Sequence, residues 1–244
     1  MNKGKRFRVV TYNVHKCRGL DRRVRPARIV DVLREVNADI IALQEVVSVE
    51  EKTPEENQAG FIAAALGFDY RLGETRRLNG GAYGNVVFSR LPITSTCNYD
   101  LSQPGREERG CLRADLEVRR DLTLHVYNIH LGTAYLERRR QARKLLDGDM
   151  LSGHGGIRIV LGDFNEWTRG LTTKLLSRHF ECVDARLHLG RSRTYPGVMP
   201  FLHLDHVYFD RSLKLEGAAL HRSRTALMAS DHLPIVADFR LDVS

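Results

Sequence analysis

Residues 156–167 read GIRIVLGDFNEW, a run of Ile, Val and Leu that ends in Gly-Asp and continues with Asn165 and Trp167. The length and branched aliphatic content of this run predict a buried β-strand. Similar runs, most of which also end at polar side chains, occupy residues 7–14, 38–46, 84–90, 111–118, 121–131, 204–209 and 233–241. Strand ends along one edge of a sheet are where α/β proteins build functional sites. The pattern therefore predicts a sheet protein with a site at its strand ends.

Helical patterns separate several of these strands. Residues 26–36 carry apolar side chains at helical spacing behind a proline, which predicts an amphipathic helix. A second helix is predicted to begin at Thr53, with Glu56 closing a capping box, and to stop at Gly67. Two further helices are predicted at residues 137–146 and 171–178.

The connections between the strands indicate mixed sheets. Residues 111–118 and 121–131 are joined by two arginines and predict a β-hairpin, so part of the sheet structure is antiparallel. No fixed-period repeat, low-complexity linker or composition break marks a domain boundary. We predict an α/β (α+β) architecture of mixed sheets with helices outside.

The composition is that of a folded protein with a basic surplus. The chain has 244 residues, with 38 Lys and Arg against 30 Asp and Glu, and a formal net charge of +8. With 42% hydrophobic and 28% charged residues, it is neither a disordered chain nor a coiled coil. The charge suits nucleic acid, an anionic membrane surface or a phosphorylated small molecule, but a solvated basic surface explains it as well. Charge alone therefore selects no partner.

Cysteine usage and hydropathy predict a cytoplasmic location. The four cysteines show no CxxC spacing, which disfavours both a zinc site and a disulfide scaffold. No apolar stretch reaches the length of a signal peptide or a membrane span.

The polar residues at the strand ends share one chemistry, oxygen donors and imidazoles without a thiolate. They are Asn13, Glu45, His130, Asp163, Asn165, Asp205, Asp231 and His232. Carboxylate and amide oxygens suit magnesium, with manganese or calcium as substitutes. Magnesium held by a few carboxylates is typical of phosphate chemistry. The GxSxG, GxxxxGK[ST] and HExxH patterns are absent from the sequence, so the mechanisms that they mark have no support here.

Seven short segments, taken in order, carry a family resemblance. They are TYNVH (11–15), LQEV (43–46), GNVVFSR (84–90), NIHLG (128–132), GDFNEW (162–167), LDHVYF (204–209) and SDHLP (230–234). Together they resemble the endonuclease/exonuclease/phosphatase superfamily, whose fold is shared by deoxyribonuclease I, exonuclease III-type endonucleases, neutral sphingomyelinases and inositol polyphosphate 5-phosphatases. The resemblance implies one domain over residues 1–244, with a core at about 7–241. It also implies a four-layered sandwich of two mixed β-sheets packed face to face with outer helices.

The resemblance implies a metal site as well as a fold. Asn13 and Glu45 match the family's metal-binding Asn and Glu, and Asp231 is near enough to help hold the ion. Magnesium is the ion that we expect there.

The catalytic roles are likewise implied by the resemblance. Asp163 would orient or deprotonate the attacking water, and Asn165 would steady the phosphate. Asp205 would orient His232, which either shares the proton transfer or binds the phosphate as an imidazolium. His130 completes the catalytic set and matches the deoxyribonuclease I and sphingomyelinase branches, which argues against the abasic-site endonucleases.

Two longer segments narrow the branch further. Residues 130–146 and 194–209 are most similar to small bacterial members of unassigned substrate. This similarity indicates a branch of the family but does not identify a substrate.

We therefore predict a magnesium-dependent hydrolase of phosphoester bonds, and we favour a phosphodiesterase or nuclease that cleaves nucleic acid by water attack. The predicted substrate contacts are Asn85, Arg113, Tyr135 and Trp167, of which the last two could stack on bases. A phospholipid or an inositol or sugar phosphate is the alternative substrate. A catalytically retired binding protein is a minor alternative, and no obligate protein partner is implied.

Overall fold

The branched aliphatic runs form strands of two mixed sheets in the computed structural model, which describes residues 4–50, 52–78, 80–146, 149–153, 155–166, 170–183, 194–196 and 202–242. Within these ranges the strands are β1 (Lys5–Asn13), β2 (Ile40–Ser48), β3 (Asp69–Leu78), β4 (Gly81–Ser89), β5 (Ile93–Asp100), β6 (Gly110–Arg119), β7 (Leu122–His130), β8 (Ile157–Asp163), β9 (Glu181–Cys182), β10 (Asp205–Phe209), β11 (Leu213–Leu220) and β12 (Ile235–Leu241). The helices are α1 (Pro26–Val36), α2 (Gln58–Leu66), α3 (Tyr135–Leu146), α4 (Asp149–Ser152), α5 (Leu171–Leu176) and α6 (Arg224–Ala229), and a 3₁₀ turn spans His15–Cys17.

Each sheet has six strands. The first has the order β11-β12-β1-β2-β4-β3 and the second has the order β5-β6-β7-β8-β10-β9. β1 runs parallel to β2, and β7 runs parallel to β8, whereas the other described pairs are antiparallel. The predicted hairpin is confirmed as β6–β7, and the predicted mixed sheets are confirmed.

The strands divide their apolar side chains between two faces. In β1, Val9 packs in the core between the sheets, whereas Val10 packs on the outer side under α1 and α2. On the outside of the second sheet, Leu145 of α3 and Leu176 of α5 pack against Tyr127 of β7. The order helix, sheet, sheet, helix confirms the four-layered sandwich.

Parallel pairing brings functional strand ends to one edge. Asn13 pairs with Gln44 near the ends of β1 and β2, and His130 pairs with Asp163 at the ends of β7 and β8. β10 is antiparallel to β8, so it starts at this same edge with Asp205 opposite Asp163. The register of both sheets therefore places these side chains along one edge of the sandwich.

The four predicted helices correspond to α1, α2, α3 and α5, with ends within two residues of the prediction except at the start of α2, whereas the short α4 and α6 were not predicted. α1 begins at the proline, and α2 ends at Gly67, which adopts φ 69° as a C-cap. The prediction that α2 begins at Thr53 is wrong, because Asn57 caps the helix by accepting a hydrogen bond from the Gly60 N–H at 3.2 Å. The Thr53 hydroxyl instead donates to the Glu56 carboxylate, in a turn that precedes the helix. No helix in the described ranges has the length and apolarity that crossing a bilayer requires.

Candidate active site

A buried carboxylate, Asp163, lies at the centre of the strand-end residues. Its Oδ2 accepts a hydrogen bond from Asn13 Nδ2 at 3.0 Å, and its Oδ1 accepts one from the Asn165 backbone N–H at 2.8 Å. The Nε2 atoms of His130 and His232 lie 3.7 Å and 3.8 Å from the same Oδ2. The structure therefore brings four other predicted site residues together around the Asp163 carboxylate.

His232 is held as an imidazolium. Its Nδ1 lies 2.9 Å from Oδ2 of Asp205, a fully buried carboxylate. Burial alone would lower the pKa of His232, but the charge of Asp205 and this hydrogen bond, with help from Asp163 and Asp231, raise the pKa to about 10. One ring proton therefore faces Asp205 and the other faces Asp163.

His130 is neutral at physiological pH. Burial lowers its pKa to about 3, and the positive charge of Arg109 contributes. Nη1 of Arg109 lies 3.2 Å from Nδ1 of His130, and a guanidinium can only donate. Nδ1 is therefore the acceptor, which leaves the ring proton on Nε2, facing Asp163. Glu107 holds Arg109 from the other side at 2.7 Å.

Asp163 itself titrates near neutrality. Burial raises its pKa to about 6, with Asp205 adding to the shift while the charge of His232 opposes it. At pH 7 to 8 the group is a carboxylate between an imidazolium and a neutral N–H donor. A carboxylate with a pKa this close to the working pH can accept a proton efficiently.

Glu45 reaches the site from a β-bulge. The register between β2 and β4 shifts around this residue, which has φ 59°, and such a bulge re-aims a side chain. Glu45 Oε1 accepts from Asn13 Nδ2 at 3.2 Å, and Oε2 lies 2.9 Å from Nζ of Lys16. Burial opposes ionisation. His130, which is protonated at the low pH where Glu45 titrates, together with the Lys16 charge and these two hydrogen bonds, keeps the pKa of Glu45 below its usual range.

The donor atoms fit a hard divalent cation. Asp163, Asp205 and His232 offer ligand atoms that all lie within 4.8 Å of one another. Asp205 is paired with His232 through Oδ2 only, and its buried Oδ1 has no hydrogen-bond partner in the described residues. The oxygen donors left for an ion are therefore those of Asp163 and Glu45 and Oδ1 of Asp205. Asn13 joins these two carboxylates through its amide nitrogen, so it would have to turn its amide over to bind an ion through oxygen. Carboxylate and amide oxygens without a thiolate match magnesium or manganese rather than a soft metal.

The third predicted ligand, Asp231, lies beside this centre. Its Oδ1 is 3.5 Å from Nδ1 of His15 and 3.4 Å from the Ser230 hydroxyl. Its charge contributes to the raised pKa of His232, the next residue along the chain. Asp231 therefore contributes a negative charge to the electrostatic environment of the site.

Two of the predicted substrate contacts are internal to the fold. Asn85 is buried, and its Nδ2 donates to the Gly110 and Asn128 carbonyls at 3.0 and 3.1 Å, which ties the first sheet to the second. Arg113 is buried as well, with Nε 3.1 Å from Asp115. Both side chains are thus bonded inside the fold, and a substrate contact for either stays a prediction.

The aromatic residues near the site differ from those predicted. Tyr135 is the first residue of α3 and is 58% exposed, so it is free to meet a substrate. Trp167 lies outside the described residues. The ring of Tyr195, which the sequence analysis did not identify, lies 4.9 Å from the ring of His232.

The sequence analysis did not identify Lys16 and Arg109 as site residues. For Arg109, the predicted hairpin offered a signal. The predicted hairpin brings Gly110 near His130, and the observed register, which shifts between Glu117 and Arg119, pairs the two residues. This pairing places the preceding arginine beside the histidine. Lys16 directly follows a predicted site segment, but its contact with Glu45 depends on the backbone of a turn that no pattern specifies.

Replacing Arg109 with methionine should raise the pKa of His130. The guanidinium charge would be lost while burial persists, so the pKa should remain below that of an exposed histidine. A ring-nitrogen NMR titration measures this value, with Arg211→Met at an exposed position as the control. An unchanged His130 titration would contradict the assignment of its Nε2–H form.

Two mixed six-stranded sheets with a carboxylate and histidine centre at one edge define a protein of the deoxyribonuclease I-like fold class. The chain belongs to the endonuclease/exonuclease/phosphatase family, whose model matches residues 10–232. Members of this superfamily are hydrolases that act on phosphoester bonds, and the family generally uses a divalent metal. The resemblance read from the sequence is therefore confirmed.

Relatives support this membership. The uncharacterized protein YbhP of Escherichia coli K12 is 31% identical over 245 residues, which cover 96% of each chain. A solved family protein from Beutenbergia cavernae has 22% identity and a TM-score of 0.76, covering 97% of this chain and 72% of that one. The mannosyl-6-phosphatase of Bacteroides thetaiotaomicron has 16% identity and a TM-score of 0.76, covering 96% and 99%. These two structures show the shared fold, and YbhP agrees with the predicted placement among small bacterial members of unassigned substrate.

Proposed function

We propose that this chain is a divalent-metal-dependent phosphoesterase that cleaves a phosphoester bond by attack of water. One observation carries the proposal: two histidines in opposite charge states present Nε2 to the same oxygen of Asp163. Hydrolysis needs a base for the water and donors for the phosphoryl oxygens, and this arrangement supplies both. Both sheets contribute to it, which supports a single domain over residues 1–244. A cytoplasmic location remains a prediction.

The proposed ion is magnesium, with manganese or calcium as substitutes. Glu45 and Asn13 would hold it, with Asp231 contributing charge from the side. When bound, the ion would polarise a phosphoryl oxygen and offset its negative charge.

We assign the base to Asp163. It is ionised at neutral pH, whereas both nitrogens of His232 already carry protons, so His232 donates to a phosphoryl oxygen instead. Neutral His130 donates through Nε2 to the phosphate or the leaving oxygen. Asn165, whose Nδ2 donates to the Leu131 carbonyl at 2.9 Å, is proposed to steady the phosphate.

We propose nucleic acid as the substrate class. The supporting observations are the net charge of +8 and a basic exposed face of α3, formed by Arg139, Arg140, Arg143 and Lys144. This helix begins five residues after His130, and its Gln141 side chain binds the Gly132 N–H of the intervening loop at 2.9 Å. The helix thus starts close to the site, and the basic face further along it would attract a phosphate backbone.

Exchanging Arg139 and Arg140 together for glutamine should weaken binding to duplex DNA by about 3–10-fold at low salt and flatten its salt dependence, because two phosphate contacts would be lost. Fluorescence anisotropy across a salt series measures both effects. The control is the double variant Arg211→Gln and Lys214→Gln at exposed positions. An equal loss in the control would contradict the assignment of the α3 face.

The activity is tested with bis-p-nitrophenyl phosphate in the presence of Mg²⁺ or Mn²⁺ and after chelation. We expect turnover that requires the ion, and turnover that survives chelation would contradict the proposal. A panel of plasmid DNA, abasic DNA, RNA, sphingomyelin, phosphatidylglycerol and inositol phosphates then separates nucleic acid from the alternative substrates. If Mn²⁺ binds but no substrate turns over, the chain is a binding protein.

A further inference from the structure

The turn at His15–Cys17 has an unusual backbone. Three successive residues that are not glycine have positive φ, with values of 45°, 58° and 54°. Side chains disfavour this region, and it persists only where the surroundings enforce it. Here the Asn13 side chain accepts from the His15 N–H at 3.0 Å, and buried Gln58 donates to the Lys16 carbonyl at 2.8 Å. The turn is therefore fixed in place by its neighbours.

The turn presents basic side chains to two predicted ion ligands. Nζ of Lys16 lies 2.9 Å from Glu45 Oε2, and Nδ1 of His15 lies 3.5 Å from Asp231 Oδ1. Lys16 makes the closer contact and carries a full charge. Its ammonium therefore neutralises the carboxylate that the proposed function assigns to the ion.

An ammonium and a divalent cation at one carboxylate oxygen repel each other strongly at such short range. The lysine stem is long and flexible, so the ammonium can leave by rotation of the side chain alone, and the Gln58 bond to the Lys16 carbonyl does not depend on the ion. A cavity of about 260 Å³ adjoins Lys16 and is also lined by Arg18, by the carboxylates of Glu55 and Glu56, and by apolar side chains such as Val47. The ammonium therefore has room to move.

We propose that Lys16 is a movable countercharge: it competes with the divalent ion for Glu45 and, once displaced, binds the phosphate of the substrate. This inference rests on the proposed function, because it takes Glu45 as an ion ligand. A phosphate in contact with an ion at Glu45 lies within reach of the rotated lysine side chain. Lys16 would thus lower the affinity for the ion and raise the affinity for the phosphate.

The test measures two affinities in the full-length protein. Isothermal titration gives the Kd of Mn²⁺, and a second titration gives the Kd of inorganic phosphate for the Mn²⁺-loaded protein. Lys16→Met should bind Mn²⁺ about tenfold more tightly and phosphate about tenfold more weakly. Lys214→Met, at an exposed position on β11, should change neither. A merely structural role for Lys16 would not move the two affinities in opposite directions.

The outcomes are distinguishable. Mn²⁺ affinity that is unchanged or weaker in Lys16→Met overturns the inference, and so does unchanged phosphate affinity. Lys16→Gln serves the same test if the methionine variant does not fold. If the unaltered protein binds Mn²⁺ no better than Glu45→Gln, the ion site of the proposed function fails, and the inference fails with it.

Discussion

Asp163→Asn should lower kcat by about 10³–10⁴-fold, the largest effect expected of any single substitution. Asparagine keeps the size of the side chain and an oxygen for the Asn165 N–H, but it cannot accept a proton from water. The measurement is steady-state hydrolysis of bis-p-nitrophenyl phosphate with Mn²⁺. Asp210→Asn is the matched control, because Asp210 is a carboxylate of low exposure paired with Arg158 at 2.8 Å outside the site. A comparable loss in the control would contradict the assignment.

The assignment of Asp163 as the base also predicts how kcat/KM depends on pH. With the pKa of Asp163 at about 6, the base is ionised above that pH and protonated below it. We therefore expect kcat/KM to fall about tenfold per pH unit below pH 6 and to level off above it. The residual activity of Asp163→Asn should lack this acid limb. An acid limb that survives in the variant would assign the base to another group.

Asp205→Asn should lower kcat by about 10²–10⁴-fold and also destabilise the fold. The substitution removes the charge that keeps His232 an imidazolium, so burial would then lower the pKa of His232. Breaking a buried ion pair by removing one partner costs about 3–5 kcal/mol, because His232 must either keep its charge without Asp205 or give up its proton. Activity assays and thermal unfolding measure the two effects. Asp210→Asn should lower stability without lowering kcat.

The stability effect has a defined pH window. The pKa of His232 is raised from 6.5 to about 10 by folding, so the folded protein binds this proton more tightly than the unfolded chain. The stabilisation is fully present below pH 6.5 and is lost as pH rises through 10. The shifted pKa of Asp163 acts below about pH 6, outside this window. Asp205→Asn should show a smaller fall in Tm between pH 6.5 and 10 than the unaltered protein, and an equal fall would contradict the pairing.

The interior of the sheets was predictable from sequence, and the edges were not. The eight predicted runs correspond to β1, β2, β4, β6, β7, β8, β10 and β12, which all lie inside the two sheets. The strands that were missed, β3, β5, β9 and β11, are the edge strands. Interior strands pack apolar side chains on both faces, whereas edge strands such as DYRLGETRRL (69–78) carry charges that blunt pairing with other chains. Hydrophobic runs in a sequence therefore identify interior strands but not edge strands.

The candidate site was predictable as a set of residues but not as an arrangement. The strand ends named Asp163, His130 and His232. Parallel pairing explains why Asp163 and His130 meet, whereas His232 arrives just before β12, which runs antiparallel to β1. Their charge states depend on contacts across long sequence distances, such as that of Arg109 with His130. The ion pair between Lys16 and Glu45 depends on a β-bulge and a turn with left-handed backbone, and sequence patterns specify neither.

The central claim is that one strand-edge centre binds both a divalent ion and a phosphate. The most direct measurement is anomalous diffraction from a crystal soaked in Mn²⁺ and inorganic phosphate. The account predicts an anomalous peak at coordination distance from a Glu45 oxygen, with the phosphate in hydrogen-bond contact with Nε2 of His232. Manganese bound elsewhere, or a phosphate that contacts neither His232 nor His130, would contradict it.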